Sequence, residues 1–343
     1  MRVIMLGHSG VGKTTYMASV YYALHDGPIF SRRNDCCGFG VIAQNDSAHK
    51  RLRALGKQIA NGVYPKATDQ RADYNFWLTF ARPGFFGKSR ENLMPFAWSD
   101  YRGGALQERT VNSDAATALR EDLSQADAII VFADANALQT RDADRTRREI
   151  KRLSAILIDA VTRRETAVPV VIAFTKADLA RSSQTLDTEL WQHFGSMIDV
   201  IDASEKMVGT YVCVACGANR MNVYAPLLFV LSWRICLNNH DLNSEIQYLE
   251  QHASEASRRS QQHSTEASGW GGLKGILNAG ASVFTGEKSL WEKQEEERQR
   301  SVALLQNAKK RKLALEPLLA PAKAARAMCS GLPLIGKHPV LRN

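Results

Sequence analysis

Apolar and polar positions alternate along this chain in blocks that predict a repeating order of strand and helix. Arg2–Leu6 is a short, largely apolar run; a Gly-rich turn comes next, then an amphipathic stretch from Lys13 to about His25. That order reads as strand, loop, helix. Further strand-like runs lie at Tyr74–Phe80, Met94–Trp98, Ala128–Ala133, Val168–Phe174 and Thr210–Ala215. Helical periodicity marks Ser113–Ser124, Asp144–Val161, Thr188–Ala203 and Asn222–Cys236. It also marks Asp46–Ala60, where Leu52, Leu55 and Ile59 form a stripe most simply read as core-facing. The runs at 74–80 and 94–98 leave no room for a helix between them. Arg82-Pro-Gly-Phe-Phe-Gly87 therefore predicts an antiparallel hairpin. Elsewhere strands alternate with helices. The expected fold is α/β: a mostly parallel sheet with one antiparallel hairpin and helices on both faces.

The texture changes from Asp241. Ser244–Ala267 is polar and helical, Gly269–Gly286 is Gly-rich, and Leu290–Leu319 is a long charged helix candidate. Pro317, Pro321, Pro333 and Pro339 are then expected to break the tail. The expected organisation is an α/β domain over residues 1–240 and a helical, partly flexible C-terminal extension over 241–343.

Charge changes this picture little. The 343 residues hold 44 Lys plus Arg and 35 Asp plus Glu, for a net +9. Residues 239–343 carry 15 of the basic and 11 of the acidic side chains, so the excess is shared between both regions. A dispersed excess does not indicate a dedicated nucleic-acid protein. Six cysteines are too few for a disulfide framework. The first residues read as a strand entering a functional loop rather than a signal peptide, and the longest apolar run, Val223–Leu237, is interrupted by Arg234. A soluble, cytoplasmic protein is the expectation.

The chemistry begins in the first loop. Gly7-His-Ser-Gly-Val-Gly-Lys-Thr14 satisfies G-x-x-x-x-G-K-[ST] in full, between a predicted strand and a predicted helix. Glycines let backbone N–H groups turn inward around phosphate oxygens. Lys13 is placed to bridge β- and γ-phosphates, and the Thr14 hydroxyl to ligate Mg²⁺. The helix adds the positive end of its dipole. Gly7, His8, Ser9, Gly10, Val11, Gly12, Lys13, Thr14 and Thr15 form the expected phosphate-binding set. Such a loop does not separate GTPases from ATPases, so later motifs must decide. Asp100-Tyr-Arg-Gly103 fits D-x-x-G, with Asp100 facing the metal and the Gly103 N–H facing the γ-phosphate. Thr175-Lys-Ala-Asp178 fits [NT]-K-x-D directly after a predicted strand. Its carboxylate can accept two hydrogen bonds from guanine N1–H and the exocyclic amine, a pair adenine lacks, and the Lys176 stem can lie over the base. Val214-Ala-Cys-Gly217 follows the next strand, where backbone N–H groups at Ala215 and Cys216 can meet the guanine oxygen. Cys213 and Cys216 lack a second ligand pair at zinc spacing, so metal or redox chemistry is not the expectation there.

These motifs, in this order, resemble the Ras-like branch of the translation-factor-related (TRAFAC) class of P-loop GTPases over roughly residues 1–238. The longer layout resembles bacterial double-GTPase, or conflict-system, proteins. The resemblance implies a Rossmann-like P-loop NTPase sheet, GTP with Mg²⁺, and switch segments that order around the γ-phosphate. It places a second Mg²⁺-ligating hydroxyl at Thr68, after an insertion containing the 46–60 helix. The catalytic set is then Lys13, Thr68 and Gly103, and the metal set Thr14, Thr68 and Asp100. One departure stands out: Gly104 occupies the place where Ras-like enzymes commonly carry a water-orienting Gln, and Gln107 and Glu108 lie further on. Arg71 and Arg102 are candidate charge stabilisers or plain solvated arginines. The expected function is a GTP-binding switch with slow or partner-stimulated hydrolysis. The alternative is a nucleotide-bound interaction or membrane-docking module without turnover. Partners are GTP or GDP and a protein met through the switch segments or C-terminal helices. Trp270, Leu273, Ile276, Leu277 and Phe284 leave open a membrane-interface segment or a connector docked on the domain.

Overall fold

The computed structural model describes residues 1–25, 38–66, 72–84, 87–100, 114–140, 143–180, 183–218, 220–269 and 290–341. Contacts group these into two compact units, one of residues 1–237 with 318–343 and one of 238–317.

Among the described residues the first unit holds seven strands: β1 (Arg2–Leu6), β2 (Gly38–Ala43), β3 (Ala72–Gly84), β4 (Gly87–Asp100), β5 (Ala128–Asp134), β6 (Val168–Thr175) and β7 (Met207–Cys213). Their order is β2-β3-β4-β1-β5-β6-β7. β1 pairs in parallel with both β4 and β5, with Val3 opposite Trp98 on one side and Ala128 on the other. β6 and β7 continue the parallel set. β3 alone runs the other way, antiparallel to β2 and to β4, so the predicted hairpin is present and is extended by one strand. β2 is not among the strands expected from the sequence. Phe39 and Val41 do alternate into the core, but Gly38 precedes them, Gly40 separates them, and the period is too short to stand out.

Alternation along the strands sends side chains to two cores. Val3, Met5, Ile130 and Phe132 face one, with α1 (Lys13–His25), α2 (Asp46–Ala60) and the apolar start of α7 (Ala225–Gly269). Ile4, Leu6, Ile129 and Val131 face the other, with α3 (Asp114–Gln125), α5 (Ala143–Thr162) and α6 (Ser183–Ala203). A one-turn α4 (Ala135–Leu138) follows β5 directly. β5 and β6 are buried along their whole length, as a parallel strand covered on both faces must be. Helices on both faces of a mostly parallel sheet make this a Rossmann-like P-loop fold. The loops at the C-terminal ends of β1, β4, β5, β6 and β7 therefore open on one edge, where such sheets bind ligands.

A buried arginine locks the far end of this sheet. Arg164 is 5% exposed, and its guanidinium donates to the carbonyls of Leu123, Ser124 and Ala126 at 2.7, 2.8 and 2.6 Å. These carbonyls include the unsatisfied end of α3. Arg164→Ala is expected to cost about 3 kcal/mol, because truncation strands several buried acceptors; a urea midpoint shift at unchanged slope would measure it.

The C-terminal residues return to the sheet. Ile335 exchanges backbone hydrogen bonds with Gly209 at 2.8 and 2.9 Å, and the Thr210 hydroxyl donates to Pro333 O at 2.6 Å. Ala322, Ala325 and Cys329 are buried. The tail thus covers β7, the sheet's edge strand. Pro317 lies inside the expected 290–319 helix, but Pro321 does not break the stretch as expected: α8 runs from Leu290 to Met328 through both. Each proline forfeits a helical hydrogen bond, but burial of Leu318, Ala322 and Ala325 just beyond offsets that loss.

In the second unit, Ile246 and Leu249 from α7 close on Ala308 from α8, flanked by ion pairs Lys309–Glu250 and Arg311–Glu245. Half-exposed pairs like these add little; the small apolar seam carries the packing. Among the described residues no helix is long and apolar enough to cross a membrane.

Candidate functional site

The loop from β1 to α1 is shaped by glycines. Gly10 and Gly12 take φ of 82° and 95°, the left-handed region that a side chain disfavours. At Gly7 a Cβ would press within 3.0 Å of both Cβ and O of Phe132. The loop is therefore pinned against the end of β5 while its backbone turns inward. Lys13 is 7% exposed and folds back, its Nζ donating to Gly7 O at 2.7 Å and His8 O at 3.2 Å. Burial pulls the Lys13 pKa below the usual lysine value, with Asp100 opposing the shift. Asp100, at the end of β4, answers in kind: burial raises its pKa, while Lys13 and a hydrogen bond from Thr14 hold it down. The Thr14 hydroxyl donates to Asp100 Oδ2 at 2.8 Å. Two oxygens suited to a hard cation, from residues 86 apart in sequence, thus meet beside a buried ammonium.

His8 belongs to the loop by its backbone, yet its side chain is buried and turned toward α5. Its Nδ1 lies 3.8 Å from Glu149 Oε2, and burial lowers the imidazole pKa against the pull of that carboxylate. Ser9 and Gly10 stay exposed at the loop tip, and Val11 is buried beneath it. Thr15 continues α1 at intermediate burial.

β6 delivers the next group. The Thr175 hydroxyl lies 2.6 Å from Val11 O and 3.1 Å from Ala133 O, tying β6 to the first loop and to β5. Lys176 adopts φ of 56°, which turns its side chain back over the loop. Its Nζ donates to Gly10 O at 3.0 Å and pairs with Asp134 Oδ2. Asp178 follows in a short 3₁₀ turn, exposed. Beside it the segment after β7 is held by reciprocal backbone bonds between Ala215 and Met221 at 3.0 Å, and by Asn222 Nδ2 donating to Cys213 O at 3.1 Å. Burial pushes the Cys216 thiol up to about 12, so a thiolate is disfavoured there. The Ser19 hydroxyl reaches Cys216 O at 3.5 Å.

The structure thus gathers Gly7–Thr15, Asp100, Thr175, Lys176, Asp178, Ala215 and Cys216 on one edge of the sheet. Thr68 and Gly103 lie outside the described residues, as do Arg71, Arg102, Gly104, Gln107 and Glu108. Motif spacing alone does not reveal Asp134. Its place at the end of β5, facing the crevice, is the signal that could have found it.

Comparison with known proteins bears on what this edge binds. A family model described as Double-GTPase 2 matches residues 2–207. The chain belongs to the Double-GTPase 2 family. Guanine-nucleotide binding comes with that membership. Among solved structures this Double-GTPase 2 protein is similar to the signal recognition particle receptor SRb-GTP/SRX complex from Chaetomium thermophilum, at 14% identity over 67% of this chain and 96% of that one, with a TM-score of 0.39. It is also similar to the GTPase-like domain of Ski7 from S. cerevisiae, solved with GDP and inorganic phosphate, at 10% identity over 63% and 43%, with a TM-score of 0.36. A third similarity is to a nucleolar GTP-binding protein 1 from Plasmodium falciparum, at 12% identity over 78% and 95%, with a TM-score of 0.34. No curated protein matches the sequence.

Proposed function

We propose that this Double-GTPase 2 protein is a GTP-driven switch that hydrolyses GTP to GDP and phosphate, slowly or with a partner's help. The observation that carries the reading is the Thr14–Asp100 hydrogen bond at 2.8 Å, set beside buried Lys13 and the glycine-shaped loop. Loop N–H groups and Lys13 hold the β- and γ-phosphates, and Thr14 with Asp100 holds Mg²⁺, directly or through water. Bound Mg²⁺ supplies charge neutralisation at the phosphate oxygens. In hydrolysis, water attacks the γ-phosphorus while the bond to the bridging oxygen of GDP breaks. Lys13 then stabilises charge gathering on the leaving β-phosphate. Asp178 reads guanine, the Lys176 stem lines the base, and backbone at Ala215 and Cys216 meets the guanine oxygen. Thr68 and Gly103 complete the γ-phosphate sensor. The second reading, a nucleotide-bound docking module without turnover, is favoured by Gly104, which has no side chain to orient water. Residues 241–343 are the proposed contact region for a protein partner or a membrane surface, and the proposed location is the cytoplasm.

Calorimetric titration of GTP, GDP and ATP with Mg²⁺ tests the site. GTP and GDP should bind at least about 100-fold more tightly than ATP, since adenine leaves the Asp178 carboxylate unpaired. Equal affinity for ATP would remove the guanine assignment. A single-turnover assay with and without liposomes then separates the two readings: no phosphate release in either condition selects the docking module.

A further inference from the structure

One side chain at the base end of the site belongs to none of the motifs. α2 closes in a reversed turn in which Gly62 takes φ of 81° and the Val63 N–H donates to Gln58 O at 2.9 Å. Such a cap fixes the direction of the chain as it leaves the helix. The helix is itself pressed onto α1: a Cβ at Gly56 would come within 2.4 Å of Tyr22 Cβ and 2.7 Å of Ala18 O. Tyr64 is therefore delivered by a packed element, although it is 56% exposed. Its hydroxyl lies 2.5 Å from where a Cβ on Gly217 would stand, and Asp178 Oδ2 lies 3.8 Å from that same point. The phenol occupies space beside the Gly217 backbone and the Asp178 carboxylate, where the edge of a bound guanine belongs.

We propose that Tyr64 gates the base subsite, seated over Gly217 when closed and swung aside as guanine enters. The proposal rests on the reading of Asp178 and residues 215–217 as the guanine subsite. A phenol that is more than half exposed can leave without disturbing the core, so opening is cheap and its population sets the apparent on-rate. Gly217 is the complementary part, because any side chain there would push the hydroxyl away.

The test is stopped-flow association and dissociation of GDP carrying a fluorescent N-methylanthraniloyl group, using the full chain with Mg²⁺. Tyr64→Ala should raise the association rate about fivefold, the opening penalty of one contact of hydrogen-bond size. An unchanged or slower association rate in Tyr64→Ala overturns the gate. So does a change confined to faster dissociation, which would make Tyr64 a wall on bound guanine. Absence of any labelled-GDP binding by the wild-type chain instead overturns the guanine subsite itself, and the gate with it. The thermal midpoint of nucleotide-free Tyr64→Ala, expected to stay at the wild-type value, shows that the variant is folded.

Discussion

Lys13→Ala is expected to abolish measurable binding of GTP and GDP while leaving the nucleotide-free fold nearly as stable. The ammonium is 7% exposed and hydrogen-bonded to two carbonyls of its own loop, and burial already pulls its pKa down. In the free protein its removal therefore relieves one buried charge and strands two acceptors, effects of opposite sign. In the bound state it faces the phosphates with no such compensation. Loss of charge-assisted hydrogen bonds to β- and γ-oxygens at about 2 kcal/mol each corresponds to about a thousandfold in affinity. Thermal unfolding reads both halves in one experiment. Saturating GTP with Mg²⁺ should raise the wild-type midpoint clearly, since a ligand that binds only the native state stabilises it by mass action. The variant should show the wild-type midpoint without nucleotide and no rise with it. Retained affinity together with retained hydrolysis would show that the phosphates bind elsewhere.

Asp178→Asn is expected to exchange the preferred base. The carboxylate of Asp178 offers only acceptors, matching guanine N1–H and its exocyclic amine. An amide at that place offers one acceptor and one donor, matching xanthine, which carries a carbonyl where guanine carries the amine. Guanine affinity should fall about 100-fold or more and xanthosine diphosphate should gain by a comparable factor. Asp178 sits exposed in a one-turn 3₁₀ segment, so the fold should not register the change. Competition of GDP and xanthosine diphosphate for the labelled-GDP site measures the exchange. A variant that still prefers guanine by the wild-type margin would strip Asp178 of the role.

The local parts of this site are legible in the amino-acid sequence itself. Gly10 and Gly12 are needed where the backbone takes positive φ, and that demand is met within one loop between one strand and one helix. Thr175 to Asp178 is equally local, since it caps a strand whose continuous apolar run announces burial on both faces. The expectation that the helix ends before Pro321 fails for the opposite reason. Proline's local penalty is real, but side chains packed around Leu318, Ala322 and Ala325 outweigh it. β2 escapes notice because Phe39, Val41 and the small Ala43 carry its pattern among glycines, and it takes its identity from pairing with β3.

Sequence alone determined the order of the strands other than β2, the phosphate loop and the place of Asp178 just after β6, because each is a property of a few adjacent residues. Tertiary structure decided what those residues meet. It set Thr14 against Asp100 across 86 positions, paired Lys176 with Asp134 at the neighbouring strand end, returned Ile335 to the β7 edge, and seated Tyr64 beside Gly217. None of these pairings has a periodicity or a spacing. Each depends on the register and order of strands distant in the chain, which global packing selects and no local propensity encodes.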